Sequence, residues 1–189
     1  MFRKILTADN TETFLNEKVG ESYHSQTGAV EEAVNKYVTP CKIRELAKKG
    51  SIRILDVCFG MGYNSAMAIS AALEVNPDCK IEVIGLEYDR EIVSKIQEVN
   101  PPIPFFNHYK KLSPSALEFD QGKVSVKVIL GDARETVKEL KSDNFDAVFF
   151  DPFSPLTAPE MWVVSFFEEI HRVMKNSGLF ATYSSSELA

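Results

Sequence analysis

The sequence has no apolar run approaching the roughly 18 residues needed to cross a bilayer. Its first ten residues, Met1 to Asn10, include Asp9 and lack the apolar core of a secretory signal. Cysteine is scarce: Cys41, Cys58 and Cys79 are odd in number and fall in separate elements. A disulfide scaffold or a zinc site needs paired spacing, so reduced thiols in a cytoplasmic protein are expected, with no metal site. Cations are also short, with 21 Lys and Arg against 27 Asp and Glu and a formal net charge of −6. That argues against holding nucleic acid through a uniformly basic surface and leaves only a local patch, for instance Lys110, Lys111, Lys123 and Lys127. Internal repeats and low-complexity tracts are absent. What remains suits one domain: 189 residues, 44% hydrophobic and 25% charged, are enough to bury a core.

The first 26 residues are polar and turn-rich, and read as an irregular or hairpin-like extension of a body spanning residues 27–189. From Thr27, Ala29, Val30, Ala33, Val34, Tyr37 and Val38 recur at helical spacing until Pro40, and a short helix, Ile43 to Lys49, ends at Gly50. Strands and helices then alternate. Strands are expected at Ile52 to Cys58, Ile81 to Leu86, Val126 to Leu130, Phe145 to Phe150 and Leu179 to Ser184. Helices are expected at Asn64 to Val75, Arg90 to Val99, Ala133 to Leu140 and Pro159 to Met174. Strands apolar on both faces and separated by helices imply a doubly wound α/β domain with a mostly parallel sheet. Residues 101–123 fit least well and hold a helical stretch around Ser115 to Phe119. The chain stops soon after its fifth strand, which suggests either a five-stranded sheet or one lacking its last strands.

The chemistry gathers at the strand ends. The first strand runs into Asp56-Val57-Cys58-Phe59-Gly60-Met61-Gly62-Tyr63-Asn64. Glycines at such a turn let a ligand approach the backbone, and the following helix start offers N–H groups, although a tight turn with no ligand has the same look. The second strand ends at Glu87, 25 residues beyond Gly62, where a carboxylate can accept both hydroxyl hydrogens of a ribose. Asp132 ends the third strand and either receives an adenine amine or caps the helix at Ala133. The fourth ends in Asp151-Pro152-Phe153-Ser154-Pro155, an acid and an aromatic suited to an amine on a ring, or simply a turn opened by Asp-Pro. Gly60-x-Gly62-x-x-Ser65 is open to a dinucleotide reading. Four carboxylates, Asp56, Glu87, Asp132 and Asp151, would repel a pyrophosphate but tolerate a sulfonium, so S-adenosyl-L-methionine is favoured.

With these residues in place, the run Leu55 to Asn64 and Gly131-Asp132-Ala133 resemble class I S-adenosylmethionine-dependent methyltransferases with their Rossmann-like fold. More narrowly, Phe145 to Pro155 with Pro159-Glu160-Met161-Trp162, and Gly20 to Ser25 with Gly28 to Ala33, resemble the methyltransferase domain of the MnmC family. The resemblance implies methylation of an aminomethyl group on the wobble uridine of transfer RNA, the final step to 5-methylaminomethyl-2-thiouridine. It implies cofactor contacts from Tyr23, Asp56, Phe59, Gly60, Gly62, Asn64, Glu87, Asp132, Ala133 and Asp151. Asp151 and Phe153 would serve catalysis, with Pro152, Phe153 and Trp162 on the substrate. Tyr23 would lie near the cofactor's carboxylate; alternatively, Tyr23 and His24 only anchor the extension. Cys58 stands where the general pattern has its first glycine, and Pro152 where glycine often follows the aspartate. No FAD-type fingerprint is present, so the resemblance is to a stand-alone methyltransferase working after a separate FAD-dependent oxidase. As a base, an aspartate of ordinary pKa near 4 would be weak. Two alternatives share the same features: an aminopropyltransferase of polyamine synthesis, and a non-catalytic fragment that binds S-adenosylmethionine.

Overall fold

A computed structural model describes residues 1–183. Its centre is a six-stranded sheet built from β4 (Ser51–Val57), β5 (Lys80–Glu87), β6 (Glu118–Asp120), β7 (Val124–Leu130), β8 (Phe145–Phe150) and β9 (Met174–Thr182). The order is β6-β7-β5-β4-β8-β9, parallel throughout except for the antiparallel edge strand β6. β4 is flanked by β5 and β8, with Asp56 in register with Gly85 on one side and Phe149 on the other. The chain winds outward from β4 in both directions, which leaves a crevice beyond the carboxyl ends of the central strands.

Side chains that alternate along these strands supply two separate cores. Ile54, Ala147 and Phe149 pack on one face, against α3 (Tyr63–Val75) and the aromatic loop around Phe106 and Tyr109. Leu55, Val57, Val148 and Phe150 pack on the other, against α7 (Val164–Val173) with its buried Phe166, Ile170 and Val173. A period of two with apolar groups on both faces is what a doubly covered sheet requires. Ala66, Ala68, Ala71 and Ala72 are fully buried on α3, and their small size lets the helix lie close to the strands.

Of the two forms expected for residues 1–26, irregular or hairpin-like, the hairpin-like one is found. These residues hold the antiparallel strands β1 (Phe2–Leu6), β2 (Glu12–Asn16) and β3 (Glu21–Ser22). The next helix, α1 (Ala29–Glu32), widens into a π turn over Ala33–Val38, closed by Thr39 N–H donating to Val34 O at 3.0 Å. α2 spans Ile43–Ala47 and α4 Arg90–Ser94.

Further expectations are corrected. The helix expected at Ser115 to Phe119 does not form. α5 forms earlier, at Phe106–Tyr109, and Glu118–Asp120 becomes the sheet edge because Val128 N–H finds Leu117 O at 2.7 Å. Cross-strand pairing overrides a weak local preference there. The helix expected from Pro159 to Met174 is split: a 3₁₀ turn covers Pro159–Met161 and α7 starts at Val164. The interruption holds Trp162, whose indole N–H donates to Phe153 O at 3.0 Å. The sheet has a sixth strand, β6. β9 begins at Met174 and skips register between Phe145 and Ala147 before pairing fully from Leu179. Ser184 to Ala189, on which the expectation of a shortened sheet rested, lie outside the described residues. α6 is short, Ala133–Thr136, and continues as a 3₁₀ turn over Val137–Glu139.

One packing constraint locks the turn after β4 to β5. A Cβ added at Gly85 would sit 2.4 Å from Phe59 Cδ2, so the Phe59 ring lies directly on the β5 backbone. Gly85→Ala is expected to lower stability by about 1–3 kcal/mol through overpacking. Urea unfolding of this variant measures it; wild-type stability would show that the ring moves aside freely.

Candidate functional site

Hydrogen bonds knit the carboxyl ends of the strands. After β4, Cys58, Gly60 and Gly62 all have positive φ (63°, 57° and 76°), and the chain doubles back so that Phe59 N–H reaches Leu86 O. The two glycines serve different ends. A Cβ on Gly60 would meet the Tyr23 ring at 3.3 Å. A Cβ on Gly62 would lie 2.5 Å from both Phe59 Cζ and Tyr109 Cε1, so that glycine admits aromatic packing and not a ligand. The Glu87 carboxylate at the end of β5 accepts Gly60 N–H at 2.6 Å and Asp89 N–H at 2.8 Å. Gly131 N–H donates to Glu87 O at 2.8 Å, and Asp151 N–H to Val57 O at 3.1 Å.

These strand ends line a cavity of about 720 Å³, within the size range of small-molecule and cofactor sites. Tyr23, Phe59, Gly60, Glu87, Asp132, Ala133, Asp151, Pro152 and Phe153 all reach its wall. Asp56, Gly62, Asn64 and Trp162 do not. Asn64 stands behind the wall and donates from Nδ2 to Asp151 Oδ2 at 2.8 Å. Trp162 packs on Phe150 with ring centroids 5.0 Å apart and fixes the Phe153 carbonyl. Its place is therefore to hold the loop after β8, a different place from the substrate contact expected of it. Asp132 caps α6 by accepting Arg134 N–H at 2.9 Å and pairs with the Arg134 guanidinium. Capping, one of its two expected roles, is a role its side chain performs. His24 is buried and neutral, with Nδ1 2.8 Å from Thr13 Oγ1 and its ring stacked on Tyr63, and burial pushes its pKa down to about 3. It anchors the extension.

Several wall residues had no role assigned from sequence. Glu21 on β3 accepts Ser154 N–H at 3.0 Å and the hydroxyls of Ser154 and Thr157, which straps the N-terminal sheet to the loop after β8. Burial opposes ionisation of Glu21, but these hydrogen bonds outweigh it and lower its pKa. Tyr23 reinforces the strap, its ring 5.2 Å from that of Phe153. Glu32, Tyr88 and Arg134 also line the cavity. Glu21 and Glu32 sit inside the segments that carry the family resemblance, but nothing in a linear sequence shows which acids the fold turns inward. Half of the expected basic patch is charge-paired: Lys123 with Asp78, and Lys127 3.9 Å from Glu118, while Lys110 Nζ donates to backbone carbonyls and keeps its charge.

The acids of the crevice are poorly solvated. Burial pushes Asp56 up to about 8, with Ser65 opposing and Asp151 and Glu87 adding repulsion. Neither of its carboxylate oxygens has a hydrogen-bond partner among the described residues. Burial likewise pushes Glu87 and Asp151 up to about 7. S-adenosyl-L-methionine fits this wall. Glu87 faces a cavity of sufficient size, and a sulfonium near Asp151 would offset carboxylates that otherwise lack counter-charge. A glycine turn, an acid closing the neighbouring strand and a cavity at the switch point define the class I S-adenosyl-L-methionine-dependent methyltransferases.

Comparison with known proteins agrees. Residues 104–188 match a family described as S-adenosyl-L-methionine-dependent methyltransferase. An uncharacterized protein of Methanocaldococcus jannaschii is 32% identical over 187 residues, covering 95% of this chain and 49% of the relative. The tRNA 5-methylaminomethyl-2-thiouridine biosynthesis bifunctional protein MnmC of Leptospira interrogans is 26% identical, covering 97% of this chain and 30% of its own length. The crystal structure of MNMC2 from Aquifex aeolicus superposes with a TM-score of 0.87 at 39% identity, covering 98% of this chain and 60% of that one. A probable spermidine synthase from Corynebacterium glutamicum, at 15% identity and a TM-score of 0.51 over 96% of this chain and 59% of its own, shares the fold alone. Over residues 104–188 the chain matches the S-adenosyl-L-methionine-dependent methyltransferase family, and over nearly its whole length it is similar to the MnmC proteins. It spans about half or less of the length of these curated relatives.

The raised carboxyls make stability depend on pH. Asp56, Glu87 and Asp151 have folded pKa values above their unfolded ones, so their contribution is full at low pH and lost as pH rises through about 7 to 8. His24 acts in the opposite sense, but only below its ordinary value of 6.5. Between pH 6.5 and 8 the carboxyls act alone, and the ligand-free protein is expected to lose roughly 1–3 kcal/mol. Asp56→Asn should flatten that slope. Urea unfolding across this range checks both, and stability that holds or rises with pH would contradict the assignment.

Proposed function

We propose that the chain is an N-methyltransferase that uses S-adenosyl-L-methionine to methylate the aminomethyl group of a modified wobble uridine in transfer RNA, completing 5-methylaminomethyl-2-thiouridine. The observation that carries this reading is the placement of Asp151, Pro152 and Phe153 on the wall of the cavity that Glu87 and Gly60 also line. Similarity to the MnmC proteins of tRNA 5-methylaminomethyl-2-thiouridine biosynthesis supports the substrate. Residues 1–26 then form an extension over the site and 27–189 the methyltransferase body. A separate FAD-dependent oxidase would act upstream, and the setting would be cytoplasmic. No helix among the described residues is long and apolar enough to cross a membrane.

Bound S-adenosyl-L-methionine supplies an electrophilic methyl group on a sulfonium. The chain's task is to hold it, present an amine with a free lone pair, and keep the two aligned. Glu87 keeps acceptor capacity for a pair of ribose hydroxyls beside its two backbone partners. The start of α6, at Asp132 and Ala133, borders the base end of the site. Asp151, steadied by Asn64, accepts a hydrogen bond from the amine and takes its proton on the carboxylate. Sequence alone suggested a weak base near pH 4; burial brings this carboxyl to about 7, where proton exchange with an amine at neutral pH is efficient. Phe153 stacks on the uracil, held by Tyr23 and Trp162.

Transfer of labelled methyl to transfer RNA that carries the unmethylated aminomethyl group tests this directly. The wild-type chain should label it. Asp151→Asn should cut kcat/KM by about 10²–10⁴-fold, while affinity for S-adenosylhomocysteine is kept. Unlabelled RNA, together with aminopropyl transfer to a diamine from the decarboxylated cofactor, would establish the polyamine alternative instead. Binding of S-adenosylhomocysteine with neither transfer would favour a non-catalytic fragment.

A further inference from the structure

The acceptor end of the cavity holds a second acid that the reading above does not use. Glu32 closes α1 and lines the cavity wall with Asp151, its Oε2 accepting Ser25 N–H at 2.7 Å. Five residues on, across the π turn, lies Tyr37. In a π turn, groups five apart fall near the same side of the helix. Tyr37 is fully buried, and its hydroxyl approaches Asp151 without closing a well-formed hydrogen bond. The charges acting on that hydroxyl are those of Asp151, Glu32 and Asp56, so it points into the acid cluster. Asn64 repeats the pattern: its Nδ2 is used by Asp151, and its buried Oδ1 is unpartnered. A cluster of two wall acids, a phenol without a well-formed hydrogen bond and an idle amide oxygen is costly to bury unless a donor-rich cation completes it.

We propose that Glu32, with Asp151 and the Tyr37 hydroxyl, forms a cation subsite that selects a protonated primary amine as acceptor and discriminates against neutral hydroxyl analogues. This rests on the methyltransferase reading and adds the feature that sets its acceptor class. Glu32 is a specificity residue: its charge holds the ammonium at the cavity wall and opposes ionisation of Asp151. The groups facing this pair are Lys36 and Tyr37 on the first helix, Asp56 on β4, Cys58 in the turn, Glu21 on β3 and Tyr183 beyond β9. Only Lys36 is cationic, and it lies on the exposed side of the helix.

Two measurements test it with Glu32→Gln. The first is calorimetry with S-adenosylhomocysteine present, comparing 5-aminomethyluridine with the neutral 5-hydroxymethyluridine. The wild-type protein should prefer the amine by about tenfold or more, and Glu32→Gln should lose that preference without weaker S-adenosylhomocysteine binding. The second is the pH profile of kcat/KM on undermethylated transfer RNA. Its acid limb, set by Asp151, should move to lower pH in Glu32→Gln, because a neutral neighbour no longer opposes ionisation; a purely structural role would not move it. Should Glu32→Gln fail to fold, Tyr37→Phe, which keeps the ring, should still reduce the amine preference. An unchanged preference and an unmoved limb overturn the subsite. Amine preference that depends on Glu32 in a chain that labels no RNA would keep the subsite and overturn the transfer RNA reading.

Discussion

The rest of the structure depends on acids held out of water at the carboxyl ends of three adjacent parallel strands. Asp56, Glu87 and Asp151 close or nearly close β4, β5 and β8, and the sheet order puts those strands side by side. Removing carboxylates from water is expensive, and only two of the three have protein donors among the described residues: Glu87 from backbone amides, Asp151 from Asn64. Asp56 has none, so burial favours its protonated form. A site of this kind is incomplete without a cation and a set of donors, which a sulfonium nucleoside and an amine together supply.

The N-terminal sheet is part of the same arrangement. Without it, the cavity would be an open crevice, as the βα turns of a doubly wound sheet usually leave it. Glu21 fastens β3 to Ser154 and Thr157, Tyr23 lies against Phe153, and His24 stacks on Tyr63 at the start of α3. One short strand segment therefore helps to wall the cavity and holds the loop after β8. The cost is a neutral buried histidine; the return is a loop whose aromatic is held by contacts on both sides.

Much of the fold was readable because its signals are local. The apolar runs of β4, β5, β7 and β8 and the glycines before α3 announce a parallel sheet with a turn at its switch point. Glu87 and Asp151 could be placed because a strand end is marked by the turn residues that follow it. The edge strand β6 could not: Glu118–Asp120 is too short and polar to show a period, and it exists because β7 has amides to satisfy. The break at Trp162 was hidden for a similar reason, since the indole's partner is nine residues back on another element. The sequence suggests Gly62 as a ligand contact, whereas its real neighbours are Phe59 and Tyr109, the latter 47 residues further along the chain and brought beside it only on folding.

By itself the amino-acid order determined the layering of helices on a parallel sheet, the glycine turn and the acids at the strand ends, since each follows from side-chain period and backbone freedom within a few residues. Tertiary structure decided which of those acids face the cavity, that Trp162 supports the loop, that Glu21 straps it, and that Asp151 titrates near neutrality and not near 4. Those properties are set by desolvation and by partners distant in sequence, quantities that come into being only when the elements pack.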